Sequence, residues 1–389
     1  MKPFIFSTTK SIISEIGAIK RITDICSTLD ISKPLIITDQ GIINVGLMRP
    51  LDTAFQVAGK KYFCFDQVVA DPPEHIVLAA VAYAKEVEAD GIIGFGGGSS
   101  LDTAKLVALL ANSDEQLTDI YGVDAIRGKR LPLILIPTTA GTGSEVTPIA
   151  IVTTGDTTKA GVVSATLLPD IALLDANLTL GLPSHVTAAT GIDAMVHAIE
   201  AYTSTIKKNP YSDLLAKQAL TLLSNNILEA TFNGTNLEAR QAMLLGACLA
   251  GQAFANSPVA AVHALAYPLG GHFHIPHGLS NALVLVQVMN FNVSHCAGLY
   301  AELAPSINDT INPDKSDKEI AQELIDFIAG LIKQLKLPVS LAEMGIVESD
   351  IDTLATDAML QTRLLVNNPK PVLLADVKQI YNQAYQGII

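Results

Sequence analysis

The sequence predicts an α/β domain with a parallel sheet over residues 1–182, followed by an all-helical domain over residues 183–389. Three observations carry this. Short β-like runs alternate with helical stretches up to about residue 180. The character changes near Leu182-Pro-Ser184, after which helical spacing dominates and β-branched runs thin out. A glycine-rich segment, GFGGGSSLDTAK (94–105), links an apolar run to a helical one. Strands alternating with helices imply a parallel sheet covered on both faces.

In chain order, Leu35–Thr38 is a compact apolar run after Pro34, and Lys61–Phe65 reads as a second strand. Asp71-Pro-Pro-Glu74 opens a helix, with Asp as cap and Pro in the first turn. Gly91–Phe95, Leu131–Ile136, Pro148–Val152 and Ile171–Leu174 are further strands. Ser184 is placed to cap a helix reaching about Ser204. Helical stretches then cover 211–231, 237–256, 278–292, 317–336 and 371–385. The cleft between the two domains is the natural place for a site.

Composition narrows the function. Of 389 residues, 49% are hydrophobic and 16% charged, and the net charge is −13. That balance argues against nucleic acid as a partner, which calls for a basic surface, and against an anionic membrane. A small anion stays feasible, because backbone N–H groups hold phosphate without net positive charge. The four cysteines, Cys26, Cys64, Cys248 and Cys296, are isolated and form no CxxC pair, so buried thiols are expected instead of a disulfide framework. The start, MKPFIFSTTK, lacks the apolar stretch of a signal peptide, and no uncharged apolar stretch is read as reaching the roughly 18 residues of a membrane span. A soluble cytoplasmic protein is the expectation.

The glycine loop follows a strand and precedes a helix whose free N–H groups and partial positive charge suit a pyrophosphate. Ser99 and Asp102 have capping-box-like spacing. The loop is neither G-x-G-x-x-G, because Ser99 stands at the last glycine, nor a P-loop, because Lys105 lies deep in the helix. On its residues alone it is either a phosphate cradle or a glycine-rich turn that packs a helix on a sheet. Asp39, at the carboxyl end of the Leu35–Thr38 run, is placed to accept from both ribose hydroxyls and to repel a 2′-phosphate, favouring NAD over NADP; capping the next helix is the other reading. The segment Pro137–Val146, PTTAGTGSEV, offers small hydroxyl side chains after another strand.

Four of the eight histidines lie in HALAYPLGGHFHIPHG, residues 263–278: His263, His272, His274 and His277. Asp193 and His197, in GIDAMVHAIEAY, are four apart and share a helix face. That pair is either a metal-ligand couple or an ordinary hydrogen-bonding pair. On one straight helix His263 and His277 would stand about 21 Å apart, too far for ligands held at about 2 Å from one ion. Pro268, Gly270, Gly271 and Pro276 supply the breaks that let the chain fold back, with one histidine from each of two helices. His272 and His274 are two apart, so at most one is well placed to join them.

Taken together, GGGSSLDTAK, PTTAGTGSEVTP, GIDAMVHAIEAYTS and HALAYP…PHG resemble the iron-dependent (group III) alcohol dehydrogenases, in order and over nearly the whole chain. The resemblance implies a Rossmann-like dinucleotide-binding domain plus an all-α metal- and substrate-binding domain, the dehydroquinate synthase-like fold. It implies Asp193, His197, His263 and His277 as metal ligands. It places Gly96, Gly97, Gly98 and Ser99 at the pyrophosphate and Asp39 at the ribose, with Thr138, Thr139, Thr142 and Lys159 lining the cofactor; Asp102 joins the cofactor-binding residues through its spacing from Ser99. NAD, a small alcohol or aldehyde, and a homodimer follow from it. Three imidazoles and a carboxylate suit Fe²⁺ and do not exclude Zn²⁺, Mn²⁺ or Ni²⁺. One position departs: Tyr267 stands where many members carry a second histidine. The proton relay then falls to Tyr267, to water, or to His272 or His274. Rival readings are an NAD-using lyase of the dehydroquinate-synthase type, which needs an Arg/Lys cluster that the helices show little of, a metal-dependent hydrolase, and a non-catalytic binding protein.

Overall fold

The computed structural model describes residues 3–155 and 158–387. The chain divides into two compact units, Ser7–Gly181 and, together with the N-terminal Met1–Phe6, Leu182–Ile389. The rings of Phe4 and Phe6 pack on Tyr211 of that second unit, at 5.9 and 5.5 Å between centroids.

In the first unit the strands are β1 (Ser11–Ser14), β2 (Pro34–Ile37), β3 (Phe63–Phe65), β4 (Gly91–Gly96), β5 (Gly122–Val123), β6 (Leu133–Pro137), β7 (Ile149–Thr154), β8 (Thr158–Val163) and β9 (Ile171–Leu174). The helices are α1 (Ile22–Thr28), α2 (Gln40–Asn44), α3 (Arg49–Val57), α4 (Glu74–Glu86) and α5 (Gly98–Leu110). Among the described residues, six strands pair in the order β1-β9-β6-β4-β2-β3, and every pairing is parallel. Side chains alternate across a strand, and the cores follow that rule. Leu35, Ile37, Ile92, Leu133 and Leu135 face a cluster closed by α4 and α5. Ile36, Ile93, Phe95, Ile134 and Ile136 face another, built with α1 and α3. At Gly94 an added Cβ would stand 2.6 Å from a Leu135 methyl and 2.8 Å from the Ala104 Cβ. Glycine there lets α5 lie close on the sheet.

Several local expectations need correction. Asp71 does not cap α4: the N-cap position is Pro73, with no side-chain cap. Asp71 is left-handed, at φ 50°, and its carboxylate accepts from Lys159 Nζ at 2.6 Å. Ser184 is not a cap either, because helix α6 (Ser184–Thr203) begins on it and Pro183 takes the N-cap position. The run after Pro148 is β7, but it lies outside the main sheet. It pairs antiparallel with β8 in a small β5-β8-β7 sheet. β1, β5 and β8 carry too few consecutive apolar residues to announce themselves; β8, TKAGVV, is apolar only at its end.

The second unit is helical: α6, α7 (Pro210–Phe232), α8 (Leu237–Asn256), α9 (Ala261–Phe273), α10 (His277–Ile307), α11 (Asp317–Gln334), α12 (Ile351–Met359), α13 (Thr362–Leu365) and α14 (Leu374–Gln386). Helix α10 corrects the reading of apolar runs. By length and composition it is long and apolar enough to cross a membrane, but 56% of its most apolar window is buried inside the protein. α8 and α9 pass the same test only when joined across a bend of 106°. A helix apolar on most sides is what a core helix of a large bundle requires.

The first unit also buries a cation. Lys105, fully buried on α5, donates from Nζ to Ile149 O (2.6 Å), Ser144 Oγ (2.8 Å), Asp102 Oδ1 (3.1 Å) and Thr147 Oγ1 (3.1 Å). Burial pulls the Lys105 ammonium below the ordinary lysine range, against the opposing pull of Asp102. Removing one partner of such a buried pair leaves the other uncompensated. Lys105→Ala is therefore expected to cost the first unit about 3–5 kcal/mol, read as a lowered denaturation midpoint; an unchanged midpoint would refute that role.

Candidate active site

The glycine loop joins β4 to α5. Gly97 holds the N-cap position in extended backbone, with no side-chain cap, so the expected Ser99/Asp102 capping box is not formed. Ser99 Oγ instead accepts from the Asp71 backbone N–H at 3.3 Å. Asp102 turns to the interior: Oδ1 accepts from Ser144 Oγ at 2.5 Å and from Lys105, and Oδ2 from the Ile151 N–H at 3.0 Å. Its carboxylate thus ties α5 to the segment leading into β7.

Asp39 does cap α2, Oδ1 accepting from the Ile42 N–H at 3.1 Å, while Oδ2 accepts from Ser100 Oγ at 3.3 Å. Oδ2 also lies 3.4 Å from a Cβ placed on Gly96, whose φ is 150°. Asp39 therefore stands beside the glycine loop, at the carboxyl end of β2. The Thr138 N–H donates to Gly96 O at 3.0 Å. A Cβ on Gly98 would touch Thr142 at 3.0 Å, and one on Gly97 would lie 3.9 Å from Thr139 Oγ1. The structure thus groups Asp39, Gly96–Ser99, Thr138, Thr139 and Thr142 at the carboxyl ends of adjacent parallel strands, while Lys159 reaches the same loop through Asp71. Bare backbone N–H groups at a helix start, approached closely through glycine, suit a phosphate.

In the helical unit, Asp193, His197, His263 and His277 each offer a ligand atom, and all four atoms lie within 4.8 Å of one another. Ligands at about 2.1 Å from a tetrahedral ion would stand about 3.4 Å apart, and Asp193 Oδ1 is 3.6 Å from His277 Nε2. The donor set and its spacing fit a divalent metal. Asp193 and His197 are one turn apart on α6, His263 lies in the first turn of α9, and His277 begins α10. Asp193, His197 and His263 are buried, and His277 is partly exposed. Burial raises the Asp193 carboxyl, but the three imidazoles and an amide donor outweigh it and hold it below its ordinary range.

Stacking orders the rings. His197 lies between Phe254, at 4.3 Å, and His263, at 4.7 Å. Tyr267 flanks His277, at 5.9 Å between centroids. The cluster forms without His272 and His274. His272 Nε2 pairs with Asp357 Oδ2 of α12 at 2.5 Å, and His274 is the left-handed C-cap of α9. Of the three side chains expected to relay a proton, Tyr267 is the one whose ring stands against His277 among the described contacts.

Two residues escaped sequence reasoning. Glu200, one turn beyond His197 on α6, accepts from His263 Nδ1 at 2.7 Å. Asn281, one turn into α10, donates from Nδ2 to Asp193 Oδ1 at 2.6 Å and lies 3.3 and 3.4 Å from His277 and His263 Nε2. The signal was a polar side chain three or four residues from a ligand on an otherwise apolar helix.

Comparison with known proteins agrees with this geometry. Residues 9–176 match the family model for iron-containing alcohol dehydrogenase, and residues 187–385 match that for the C-terminal part of the Fe-containing alcohol dehydrogenase family. The chain is 40% identical to long-chain-alcohol dehydrogenase 1 of Geobacillus thermodenitrificans, over 96% of this chain and 94% of that protein. It is 36% identical to sulfoacetaldehyde reductase of Bilophila wadsworthia, over 94% and 95%. Among solved structures, an alcohol dehydrogenase from Oenococcus oeni superposes with a TM-score of 0.94 at 32% identity, covering 98% of this chain and all of that one. Sulfoacetaldehyde reductase from Bifidobacterium kashiwanohense, in complex with NAD⁺, gives 0.88 at 26%, covering 99% of each. The chain belongs to the iron-containing alcohol dehydrogenase family, and it is an oxidoreductase. The lyase and hydrolase readings are not favoured.

Gly278 sets how closely α10 meets α6. A Cβ there would lie 2.5 Å from Ala189 O and 3.3 Å from the Asp193 Cβ. The backbone oxygen cannot yield, so Gly278→Ala is expected to displace His277 and weaken zinc binding at least about tenfold. Competition against a chromophoric chelator would measure this, and parent affinity in the variant would count against the placement of His277.

Proposed function

We propose that this protein interconverts a small alcohol and its aldehyde with NAD as hydride carrier and a divalent metal, Fe²⁺, at the Asp193, His197, His263 and His277 cluster. The observation that carries the proposal is the convergence of those four donor atoms within 4.8 Å, in a chain of the iron-containing alcohol dehydrogenase family. A bound cation would lower the pKa of an alcohol and polarise a carbonyl. The nicotinamide would supply the hydride chemistry.

The chain's own residues do the rest. Gly96, Gly97, Gly98 and Ser99 present backbone to the pyrophosphate. Asp39 accepts from the ribose and disfavours a 2′-phosphate, hence NAD over NADP. Thr138, Thr139, Thr142 and Lys159 complete the cofactor's surroundings, and Asp102 holds the glycine-loop helix in place through Ser144 and Ile151. Phe254 keeps the His197 ring in orientation by stacking. Tyr267, at the partly exposed His277, borders the substrate and hands its proton outward to water. His272, engaged with Asp357, and His274 have no part in that path. The protein works in the cytoplasm as a homodimer, supported by the resemblance of its motifs to the family and by its acidic, apolar-cored composition.

The test is anaerobic reconstitution with Fe²⁺ or Zn²⁺, followed by a screen of alcohols and aldehydes with NAD(H). NADH formation from an alcohol is expected in the parent. Asp193→Ala and His263→Ala should each lose bound metal and at least about 10³-fold in turnover, while still binding dinucleotide. Full activity in either variant would sink the assignment.

A further inference from the structure

We infer that Glu200 is the positioning residue of the metal centre: it sets the tautomer and ring angle of His263, and it docks the start of α9 onto α6. The inference rests on the reading of Asp193, His197, His263 and His277 as ligands, and it adds a residue that does not itself meet the ion.

Glu200 is buried, with 4% of its surface exposed, yet its carboxylate is well satisfied. Oε2 accepts from His263 Nδ1 at 2.7 Å and from the Ala260 N–H at 2.9 Å, and Oε1 accepts from the Val262 N–H at 2.6 Å. All three donors come from the start of α9. An ionised carboxylate only accepts, so the network assigns the proton of His263 to Nδ1. Nε2 is then a lone pair, and the Asn281 amide nitrogen, a donor, lies 3.4 Å from it. A metal-ligating imidazole needs that arrangement: one nitrogen anchored by an acceptor, the other free to coordinate.

The same carboxylate ends a second problem. Ala260 occupies the N-cap position of α9 and has no side chain able to cap. The orphan N–H groups of a helix start need acceptors, and its partial positive charge favours an anion. Glu200 provides both from α6, the helix that bears Asp193 and His197. One side chain thus fixes the separation of the two helices and the direction of the third ligand.

Glu200→Gln has nearly the same shape but replaces one acceptor oxygen with an NH₂ donor. If the NH₂ faces Val262, two donors oppose each other. If it faces His263, it forces the proton to Nε2 and removes the coordinating lone pair. The folded variant is expected to bind zinc 10–100-fold more weakly by chelator competition. Its Co²⁺ complex should show altered d–d absorption, and ¹⁵N spectra of the histidine rings should show His263 partly shifted to the Nε2–H form. Glu200→Asp, which keeps the charge but withdraws it by one methylene, should lose less. A role in helix capping alone would lower the melting temperature and leave zinc affinity, cobalt spectrum and tautomer unchanged, and that result overturns the inference. If neither variant folds, the ¹⁵N spectrum of the zinc-free parent decides: His263 protonated at Nδ1 supports the inference, and His263 protonated at Nε2 overturns it. A parent protein that binds no zinc would instead overturn the ligand reading beneath it.

Discussion

A buried carboxylate surrounded by imidazoles governs the helical unit. Asp193 has 1% of its surface exposed, and His197 and His263 are nearly as deep. An ionised carboxylate in such a place is expensive unless hydrogen bonds and opposite charge compensate it. Asn281 supplies a hydrogen bond, and a divalent cation would supply the charge. The geometry of the surrounding helices answers to this requirement. α6 brings the first two donors, α9 turns in with the third, and α10 starts at the fourth, so close to α6 that only glycine fits at position 278.

The first unit solves a related problem with the opposite sign. Lys105 is a buried ammonium, and its four acceptors come from α5 itself and from the stretch between Ser144 and Ile149. That stretch follows directly on the threonines beside the glycine loop. A buried cation with fixed acceptors is a poor source of net stability but a strong source of register. It aligns the segment 138–149 against α5, and so places Thr138, Thr139 and Thr142 relative to Gly96–Ser99. Asp102 belongs to the same network.

Much of this was legible beforehand, and unevenly so. The strands of the central sheet, β2, β4, β6 and β9, are continuous apolar runs, because a parallel strand is covered on both faces; they stand out in any reading. β1 and β8 do not: Ser11–Ser14 holds two apolar residues between serines, and Thr158–Val163 is apolar only at its end. Asp71 and Ser184 fit helix-start patterns, but prolines beside them took the N-cap positions. The apolar pattern of α10 ends at about residue 292, where polar Asn, Ser and His residues interrupt it, while the helix itself continues past a kink at Cys296 to Ile307.

By itself the sequence determined the alternation of the first half, the helical second half, and the four residue types suited to a metal. Periodicity and donor chemistry are local properties, readable one segment at a time. Only the tertiary structure decided that α9 and α10 return to α6, that His272 is claimed by Asp357 while Tyr267 lies beside His277, and that Glu200 and Asn281 stand behind the ligands. Those choices depend on which helix faces meet and how closely. That is set by packing between segments far apart in the chain, and no local pattern encodes it.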